Sequence, residues 1–422
     1  MAGRYRLELM EQAVAETGLS RNGRAPDRRA AEVMFYSHDS YGLGHLRRTL
    51  ALAHSLDARS QLIVTGSPLA HRFQFPPRTD YIKLPSVVKQ AAGRYESRYL
   101  GVPFKKVRAL RRDLVLSAAR HMQPDVLIVD NVPAGLTGEL LPTLRYLKRQ
   151  SCRLVLGLRD VVDEADWVKE TWEGDGSYEL LDELYDLILV YGRQDVYDVA
   201  GEYGFSPEAA AKTRFVGYLR RDPPSRPADA LRRELRGANG DPLVLVMAGG
   251  GGDGYNLLRA VVDAIRLGGD GRRFECLLLG GPLMPADHRR SVRELAATTD
   301  SIHYVDFVDD VASYVAAADV VVSMGGYNSI CELLSAGKNA LVVPRVTPRR
   351  EQLIRAELLS ERGLLRLLHP DRLEGRRVLD EIERLLDEPN GHGPRMPLDG
   401  LQAAAAAIDE LLAGRAAAVV GA

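Results

Sequence analysis

Short apolar runs alternate with helical patterns along most of the chain. The apolar run at 32–37 (EVMFYS) is typical of a buried strand, and it is followed by a glycine-containing loop at 38–44 and a helical pattern at 45–56. Similar strand-like runs lie at 61–66, 125–130, 153–160, 186–191 and 213–218 and, in the second half of the chain, at 242–254, 274–281, 302–310, 319–329 and 339–345. Strands that alternate with helices predict parallel sheets covered by helices.

A proline-rich and then charged segment at 220–241 separates the two series of strands. Segments of this composition are typical of domain boundaries, so we expect an interdomain linker here. The predicted organisation is an N-terminal extension (1–30), a Rossmann-like domain (31–219), the linker (220–241), a second Rossmann-like domain (242–398) and a C-terminal helix (399–422). The expected fold class is α/β, with two Rossmann-like halves that face each other across a cleft.

Composition narrows the function classes. The 422-residue chain is 45% apolar and 27% charged, and its net charge is -1, which disfavours a disordered chain and a nucleic-acid partner. The three cysteines show no CxxC spacing, which argues against a disulfide framework or a thiolate zinc site and favours a reducing cytoplasm. No apolar run reaches the roughly 18 to 20 residues that span a bilayer, and charges interrupt the N-terminal segment, so we expect neither a membrane span nor a secretory signal.

Because ligands of open parallel sheets bind beyond the carboxyl ends of the strands, glycine loops at those ends are candidate sites. In the first, a strand ends at Gly325-Gly326 and a helix begins near Asn328-Ser329. Glycines let a phosphate approach the backbone, and a helix N-terminus favours an anion. Glu332, about one turn into this helix, either accepts hydrogen bonds from two ribose hydroxyls or complements the helix dipole.

The second glycine loop is AGGGGDG at 248–254, in which Gly249, Gly250 and Gly251 follow a strand. Its amides either approach a diphosphate or form a tight strand-to-helix turn. The loop lacks the Gly-Lys-Ser/Thr of a Walker A motif and the GxGxxG dinucleotide pattern, which disfavours an ATPase or a dehydrogenase.

The third loop is GLGHLRR at 42–48, where His45 follows Gly44 at a predicted helix start. A helix N-terminus disfavours imidazolium, so His45 is a candidate general base, although a lone histidine can equally be structural. Asp130 and Asp160 end strands of the same domain; they are rival bases or, alternatively, strand-end caps.

The ordered motifs between about 242 and 362, namely AGGGGDG, FVDDVASYVAAADVVVSMGGYNSICELLSAGKNALVVPR and RREQLIRAELL, resemble the donor domain of GT-B glycosyltransferases of family 28. That family includes transferases that move N-acetylglucosamine from UDP-N-acetylglucosamine to a lipid-linked acceptor in peptidoglycan synthesis. The shorter GxGHxxR loop, with Gly42, Gly44, His45 and Arg48, lies where the N-terminal glycine loop of the family belongs. This loop also resembles that of UDP-sugar hydrolases.

The resemblance implies a role for individual residues. By position, Glu332 would bind the ribose, Gly325, Gly326, Asn328 and Ser329 the diphosphate, Val308 the uracil, and Glu351 and Gln352 the donor sugar, with Arg220 or Arg221 near the phosphates. The family normally has two glutamines where this chain has Glu351-Gln352, which leaves the donor sugar open.

These observations and the resemblance favour an inverting, metal-independent glycosyltransferase that uses a UDP-sugar, with UDP-N-acetylglucosamine as the first candidate, and no cofactor. A helix N-terminus and an arginine can stabilise a departing diphosphate, and the chain has no Asp-x-Asp motif of the metal-dependent transferases. The alternatives are a UDP-sugar hydrolase in which His45 activates water and a non-catalytic nucleotide-sugar sensor. A 2-epimerase is less favoured, because the N-terminal loop lacks its pattern.

The segment 83–120 carries ten Lys and Arg against two acids, a net charge of +8. We expect it to attract an anionic or lipid-linked acceptor and to allow peripheral contact with the inner face of the membrane. The alternative is that it faces the acidic stretch 163–186, because charge runs are usually solvated or paired faces.

Overall fold

The computed structural model describes residues 31–38, 44–56, 59–89, 94–235, 240–269, 274–389 and 394–420; the predicted N-terminal extension and Gly42 lie outside these ranges. The first half of the described chain forms a parallel sheet of seven strands in the order β3-β2-β1-β6-β7-β8-β9. Its strands are β1 (Glu32–Ser37), β2 (Ser60–Thr65), β3 (Thr79–Lys83), β6 (Val126–Asp130), β7 (Arg153–Arg159), β8 (Leu187–Tyr191) and β9 (Thr213–Phe215). A separate antiparallel pair joins β4 (Val87–Lys89) to β5 (Tyr95–Ser97).

The second half forms a parallel sheet of six strands in the order β12-β11-β10-β13-β14-β15. Its strands are β10 (Leu243–Met247), β11 (Glu275–Leu279), β12 (Ile302–Val305), β13 (Val320–Ser323), β14 (Asn339–Val342) and β15 (Arg366–Leu367). The central strands consist of Val, Leu and Ile buried on both faces, which is the composition that a helix-covered parallel sheet requires. The strand-like runs of the sequence are thereby confirmed.

Helices connect the strands in both halves. The first half contains α1 (Gly44–Ser55), α2 (Phe104–Met122), α3 (Leu141–Arg149), α4 (Ala165–Asp175), α5 (Ser177–Glu183), α6 (Val199–Glu202) and α7 (Pro207–Ala211). The second contains α8 (Ala228–Leu235), α9 (Tyr255–Gly268), α10 (Ala286–Ala296), α11 (Val311–Ala317), α12 (Tyr327–Ala336), α13 (Glu351–Glu361), α14 (Gly375–Asp387) and α15 (Gly400–Val420). Within the described ranges, no helix has the length and apolarity that crossing a bilayer requires.

The C-terminal helix α15 returns to the first half of the molecule and packs against α1. Asp409 of α15 pairs with Arg59, which precedes β2. Buried side chains of both halves share one apolar cluster that includes Leu46 of α1, Ile330 of α12 and Ile408 of α15. The predicted linker contains the helix α8. Arg232 of this helix pairs with Asp319, which directly precedes β13 of the second sheet. The two halves are therefore joined by α15 and by this shared apolar cluster.

Both sheets reverse their strand order at one point, β1/β6 in the first and β10/β13 in the second. Loops that leave adjacent strands in opposite directions open a crevice there, which is where open α/β sheets bind ligands. The start of α1 and the end of β6 flank the first crevice, and the loops after β10 and β13 flank the second. Several of the predicted site residues, among them His45, Asp130, Gly249 and Gly326, lie at these positions.

Candidate active site

A single cleft is lined by residues of both halves. Its lining includes Gly44, Arg47, Arg48, Arg159, Gly249, Gly250, Gly251, Asp253, Phe307, Val308, Gly326, Asn328, Ser329, Glu332, Arg345, Glu351 and Gln352. Most of the predicted donor-binding residues are thus brought together. His45, Asp130 and Arg221 lie behind this lining, next to residues that belong to it.

The loop after β13 begins the helix that faces the cleft. Gly325 has a φ of +79°, and a Cβ at this position would lie 2.7 Å from Cγ1 of Val342, so Gly325 serves the turn itself. Gly326 has an ordinary φ of -61°, and the nearest heavy atom to a Cβ there would be Nε2 of Gln352 at 4.0 Å. Gly326 therefore keeps the start of α12 open towards the cleft, whereas Gly325 shapes the backbone.

The loop after β10 also divides into two functions. Gly251 has a φ of +89°, and a Cβ there would come within 2.3 Å of the carbonyl oxygen of Gly280, so close packing of two loops requires glycine. A Cβ on Gly249 would be 4.0 Å from Oγ of Ser329, its nearest neighbour. The tight-turn interpretation applies to both residues, because Gly249 also has a positive φ, +60°, and Gly249 in addition leaves open space beside the start of α12.

His45 lies at the start of α1, and its ring is held by Asp130 at the end of β6. Nδ1 of His45 is 2.5 Å from Oδ2 of Asp130. Arg48, one turn further along α1, donates from Nε to Oδ1 of Asp130 at 3.1 Å and from Nη2 to Oδ2 at 2.8 Å. Burial by itself raises the pKa of Asp130, but the nearby Arg48 and His45 outweigh it and hold that pKa well below its usual range. Asp130 is therefore an ionised partner of His45 and not a rival to it.

A second histidine, His38, is a residue that sequence reasoning did not single out. Its ring centroid lies 4.4 Å from that of His45. Burial, with electrostatic interactions with His45 and Arg111, lowers the pKa of His38 well below its ordinary value. The His38 ring beside His45 is therefore neutral. His38 directly follows β1, and this strand-end position is a sequence signal that could have identified it.

Asp160 does not lie in the cleft lining, and its oxygens are already bonded. Nε and Nη2 of Arg355 on α13 donate to Oδ1 of Asp160 at 2.9 and 2.7 Å, and the Tyr218 hydroxyl donates to Oδ2 at 3.0 Å. Asp160 and Arg355 are 2% and 1% exposed. This arrangement corrects the expectation of a rival base, because a carboxylate so engaged joins the two halves and has no free oxygen pair for a substrate proton.

The residues expected at the donor sugar lie at the start of α13. Oε1 of Glu351 accepts from Nη2 of Arg345 at 2.6 Å and lies 3.8 Å from Nη1 of Arg159. Oε2 is buried and has no hydrogen-bond partner among the residues that the structure describes. Burial raises the pKa of Glu351, but Arg159 and Arg345 outweigh it and lower that pKa below its ordinary value. Oε1 of Gln352 accepts from the backbone N–H of Arg345 at 3.0 Å, which leaves its amide N–H groups to donate elsewhere.

Arg159 and Arg345 were not among the predicted site residues. Each ends or closely follows a predicted strand, β7 and β14, so the strand-end position was a usable signal. Arg345 also donates to Oδ2 of Asp253 at 3.1 Å and so links the loop after β10 to α13.

Of the two candidate arginines at the linker, only one contacts a predicted ligand. Nη2 of Arg221 donates to Oδ1 of Asn328, and its backbone N–H donates to Oγ of Ser335 at 3.0 Å. Arg220 is exposed. Glu332 itself accepts a hydrogen bond from Nη1 of Arg47 at 2.8 Å, a contact that the sequence did not predict.

Most lysines and arginines of the basic segment 83–120 are exposed, but Arg98 is half-buried and Arg111 is not exposed at all. Arg111 is fully buried and donates to Glu139 at 2.7 and 2.8 Å, so it belongs to the core and not to the surface charge. The exposed apolar side chains of this region are Tyr99 (70%), Leu100 (47%), Val102 (40%), Leu110 (45%) and Leu114 (37%). Two acids of the stretch 163–186, Asp163 and Glu164, pair with Arg349 and Arg350 of the second half.

Comparisons with known proteins agree with this fold. Residues 244–411 match the model of the glycosyltransferase family 28 C-terminal domain. A UDP-N-acetylglucosamine--N-acetylmuramyl-(pentapeptide) pyrophosphoryl-undecaprenol N-acetylglucosamine transferase of Rubrobacter xylanophilus is 27% identical over 155 residues, 36% of this chain and 43% of that protein. An uncharacterized glycosyltransferase of Methanopyrus kandleri is 25% identical over 49% of this chain and 54% of its own length. The chain thus spans about half the length of these two relatives.

A longer alignment joins the chain to a transferase of the same name from Vibrio cholerae, 27% identical over 81% of this chain and 86% of that protein. Among solved structures, the calicheamicin glycosyltransferase CalG4 superposes with a TM-score of 0.56 at 18% identity, covering 93% of this chain and 98% of its own. MurG of Acinetobacter baumannii superposes with a TM-score of 0.54 at 13% identity, covering 90% and 99%. The chain therefore has the GT-B fold, and its residues 244–411 resemble the C-terminal domain of glycosyltransferase family 28.

Proposed function

We propose that the chain is an inverting, metal-independent glycosyltransferase that moves a hexosamine-type sugar, with N-acetylglucosamine as the first candidate, from a UDP-sugar to an acceptor hydroxyl. The observation that carries this proposal is the His45–Asp130 pair directly behind Gly44 and Arg48, which line the same cleft as the glycine-opened start of α12. A proton acceptor and a site for a diphosphate would thereby lie at one cleft. The names of the family 28 relatives support the choice of donor.

In the proposed donor mode, the uracil lies against the segment that contains Val308 and the ribose hydroxyls bind Glu332. The diphosphate lies at the start of α12, between Ser329 and the loop that contains Gly249. Helix α12 has ten residues, so its N-terminal amides and dipole favour a negative charge. These groups would stabilise the charge that develops on the departing diphosphate.

The chemical step needs one base. The acceptor oxygen forms a bond to C1 of the sugar while the bond from C1 to the phosphate oxygen breaks, and its electron pair leaves with UDP. Because Nδ1 of His45 faces Asp130, Nε2 is the nitrogen that would take the proton of the acceptor hydroxyl. The ionised Asp130 then stabilises the imidazolium. Direct displacement from the opposite face inverts the anomeric configuration.

The donor sugar would meet Glu351 and Gln352. The unpartnered Oε2 of Glu351 can only accept hydrogen bonds, because the neighbouring arginines keep this carboxyl ionised. Gln352 can donate through its amide. Together they fit a sugar that offers one hydroxyl as donor and another as acceptor, which N-acetylglucosamine and other neutral hexoses satisfy.

The acceptor side is proposed to be anionic or lipid-linked. The exposed apolar side chains between Tyr99 and Leu114 stand among exposed lysines and arginines, including Lys105 and Lys106. Apolar groups within a basic surface are the combination that peripheral contact with an anionic bilayer requires. We therefore propose a cytoplasmic protein that docks on the inner face of the membrane.

Incubation of the purified protein with a panel of nucleotide sugars, without acceptor, tests the proposal. Mass spectrometry would follow free nucleotide and free sugar, and calorimetry would follow binding. We expect tight binding of one UDP-sugar with little release of either product. Rapid release of both would identify the hydrolase alternative, in which water takes the place of the acceptor hydroxyl, and binding of no UDP-sugar would overturn both.

A further inference from the structure

Arg47 lines the cleft, yet it has no part in the chemistry proposed above. It lies in the first turn of α1, and its Nη1 donates to Oε1 of Glu332 at 2.8 Å. The contact joins the two halves of the molecule, because Glu332 lies on α12. The side chain of Glu332 is 9% exposed and that of Arg47 is 21% exposed, so the pair is largely shielded from water. One of the two carboxylate oxygens that a ribose would use is therefore already occupied.

A neighbouring contact shows where Arg47 lies relative to the phosphate end of the cleft. Nδ2 of Asn328 donates to the carbonyl oxygen of Gly44 at 3.2 Å, so the first residues of α1 and α12 meet. Glu332 is four residues beyond Asn328, which is about one helical turn, or roughly 5.4 Å along the axis. An arginine side chain spans that distance by a change of rotamer. Arg47 can therefore reach either Glu332 or the start of α12 from the same backbone position.

The charges in the cleft favour different ligand groups at its two positions, ribose hydroxyls at Glu332 and a diphosphate at the start of α12. Ribose hydroxyls that bind Glu332 would displace the guanidinium of Arg47 and leave a shielded cation without a partner, which costs free energy. A diphosphate at the start of α12 supplies the compensating anion one turn away. Hydrogen bonds between a guanidinium and a phosphate are among the stronger ones in proteins.

We propose that Arg47 is a donor-binding residue that holds Glu332 in the empty cleft and moves to the diphosphate when ribose takes its place. The inference rests on the proposed function, because it takes Glu332 as the ribose ligand. It makes the nucleoside and the nucleotide behave differently. Uridine must break the ion pair and offers Arg47 nothing in return, whereas UDP breaks the same pair and replaces it.

Calorimetric titration of the wild-type protein and the Arg47→Ala variant with uridine and with UDP tests this. We expect the variant to bind uridine about 2- to 10-fold more tightly, because the competing ion pair is gone. We expect it to bind UDP about 10-fold more weakly, because a charge-assisted bond to phosphate is lost. Arg47→Lys keeps the positive charge, so its affinities for uridine and UDP should lie between those of the wild type and of Arg47→Ala. It serves as the second variant if the alanine variant is unstable.

The control is Arg149→Ala, which removes the same charge from an exposed position at the end of α3, outside the cleft lining. Both affinities should stay at their wild-type values in this variant. Parallel changes for uridine and UDP in Arg47→Ala, or an unchanged uridine affinity, would overturn the role of Arg47 alone. A wild-type protein that binds neither UDP nor a UDP-sugar would overturn the proposed function, and this inference with it.

Discussion

Asp160 and Arg355 form a salt bridge that joins the two halves of the molecule and is almost completely buried. Nη2 of Arg355 lies 2.7 Å from Oδ1 of Asp160, and the same guanidinium donates from Nη1 to the carbonyl oxygen of Gly325 at 3.2 Å. The pair therefore links the end of β7 to the turn that begins α12. A strand-end aspartate that looks catalytic in the sequence is instead part of the interface that positions the donor loop.

Removal of Arg355 should destabilise the protein strongly. Arg355→Gln leaves the buried Asp160 without its counter-ion, and loss of one partner of a buried pair costs about 3–5 kcal/mol in free energy of unfolding. Urea denaturation measures the difference. Arg376→Gln, which breaks an exposed pair with Asp380 on α14, should change stability by no more than about 0.5 kcal/mol. Equal effects of the two variants would contradict the structural importance of the buried pair.

The base assignment predicts a selective loss of turnover. His45→Ala should lower kcat about 10²- to 10⁴-fold, because a general base contributes that much, and should leave UDP affinity unchanged. His54→Ala is the matched control, since His54 is exposed on the same helix α1. Steady-state kinetics with the UDP-sugar identified by the binding panel, and calorimetry with UDP, separate the two effects. Retained turnover in His45→Ala would remove this assignment.

Two adjacent glycines should respond in opposite ways to alanine. Gly325→Ala places a methyl group 2.7 Å from Val342 at a positive φ, so we expect a lower melting temperature. Gly326→Ala fits the backbone but directs its methyl group into the space beside the start of α12. We expect a melting temperature near that of wild type with UDP affinity at least about 10-fold weaker, because the ligand must give up close approach to the backbone. Thermal unfolding and UDP titration of both variants test this prediction. If UDP binding weakened only in a variant that is also less stable, the proposed role of Gly326 would be contradicted.

The strand pattern was sufficient to predict both sheets, because parallel strands buried on two faces are continuous apolar runs. The short strands β3, β4, β5 and β15 were missed because they are half exposed and lack that signal. Contacts between single side chains were harder to predict than strands. The motif predicts roles for Glu332 and Gln352, whereas the pairing of Arg47 with Glu332 depends on how the two halves pack. A contact between residues 285 positions apart leaves no local pattern in one sequence.

Glu351 should make stability depend on pH in acid. Its pKa is lower in the folded protein than the ordinary value, so its ionised form contributes stability above about pH 4.3, and this contribution is lost as the pH falls through the folded pKa. The melting temperature of wild type should therefore exceed that of Glu351→Gln by more at pH 7 than at pH 3. Thermal unfolding across this range measures the difference. A difference that is constant with pH would show that the carboxylate charge is not what the neighbouring arginines stabilise.

The exposed surface on α2 should carry membrane affinity. Leu110 and Leu114 lie one turn apart on α2 and are 45% and 37% exposed, so they share a face. The double variant Leu110→Ser, Leu114→Ser should partition onto vesicles that contain anionic lipid about 10-fold or more weakly. Burial of each leucine side chain in the bilayer contributes roughly 1.5–3 kcal/mol to binding. Leu267→Ser is the control, since Leu267 is a more exposed leucine, 62%, in the other half of the molecule. Vesicle sedimentation at several salt concentrations separates the apolar contribution to binding from the electrostatic one. The lysines and arginines around the leucines contribute about 1 kcal/mol each near an anionic surface, and added salt removes this contribution. Binding that is independent of anionic lipid, or a loss in Leu267→Ser equal to that of the double variant, would contradict a docking role for this surface.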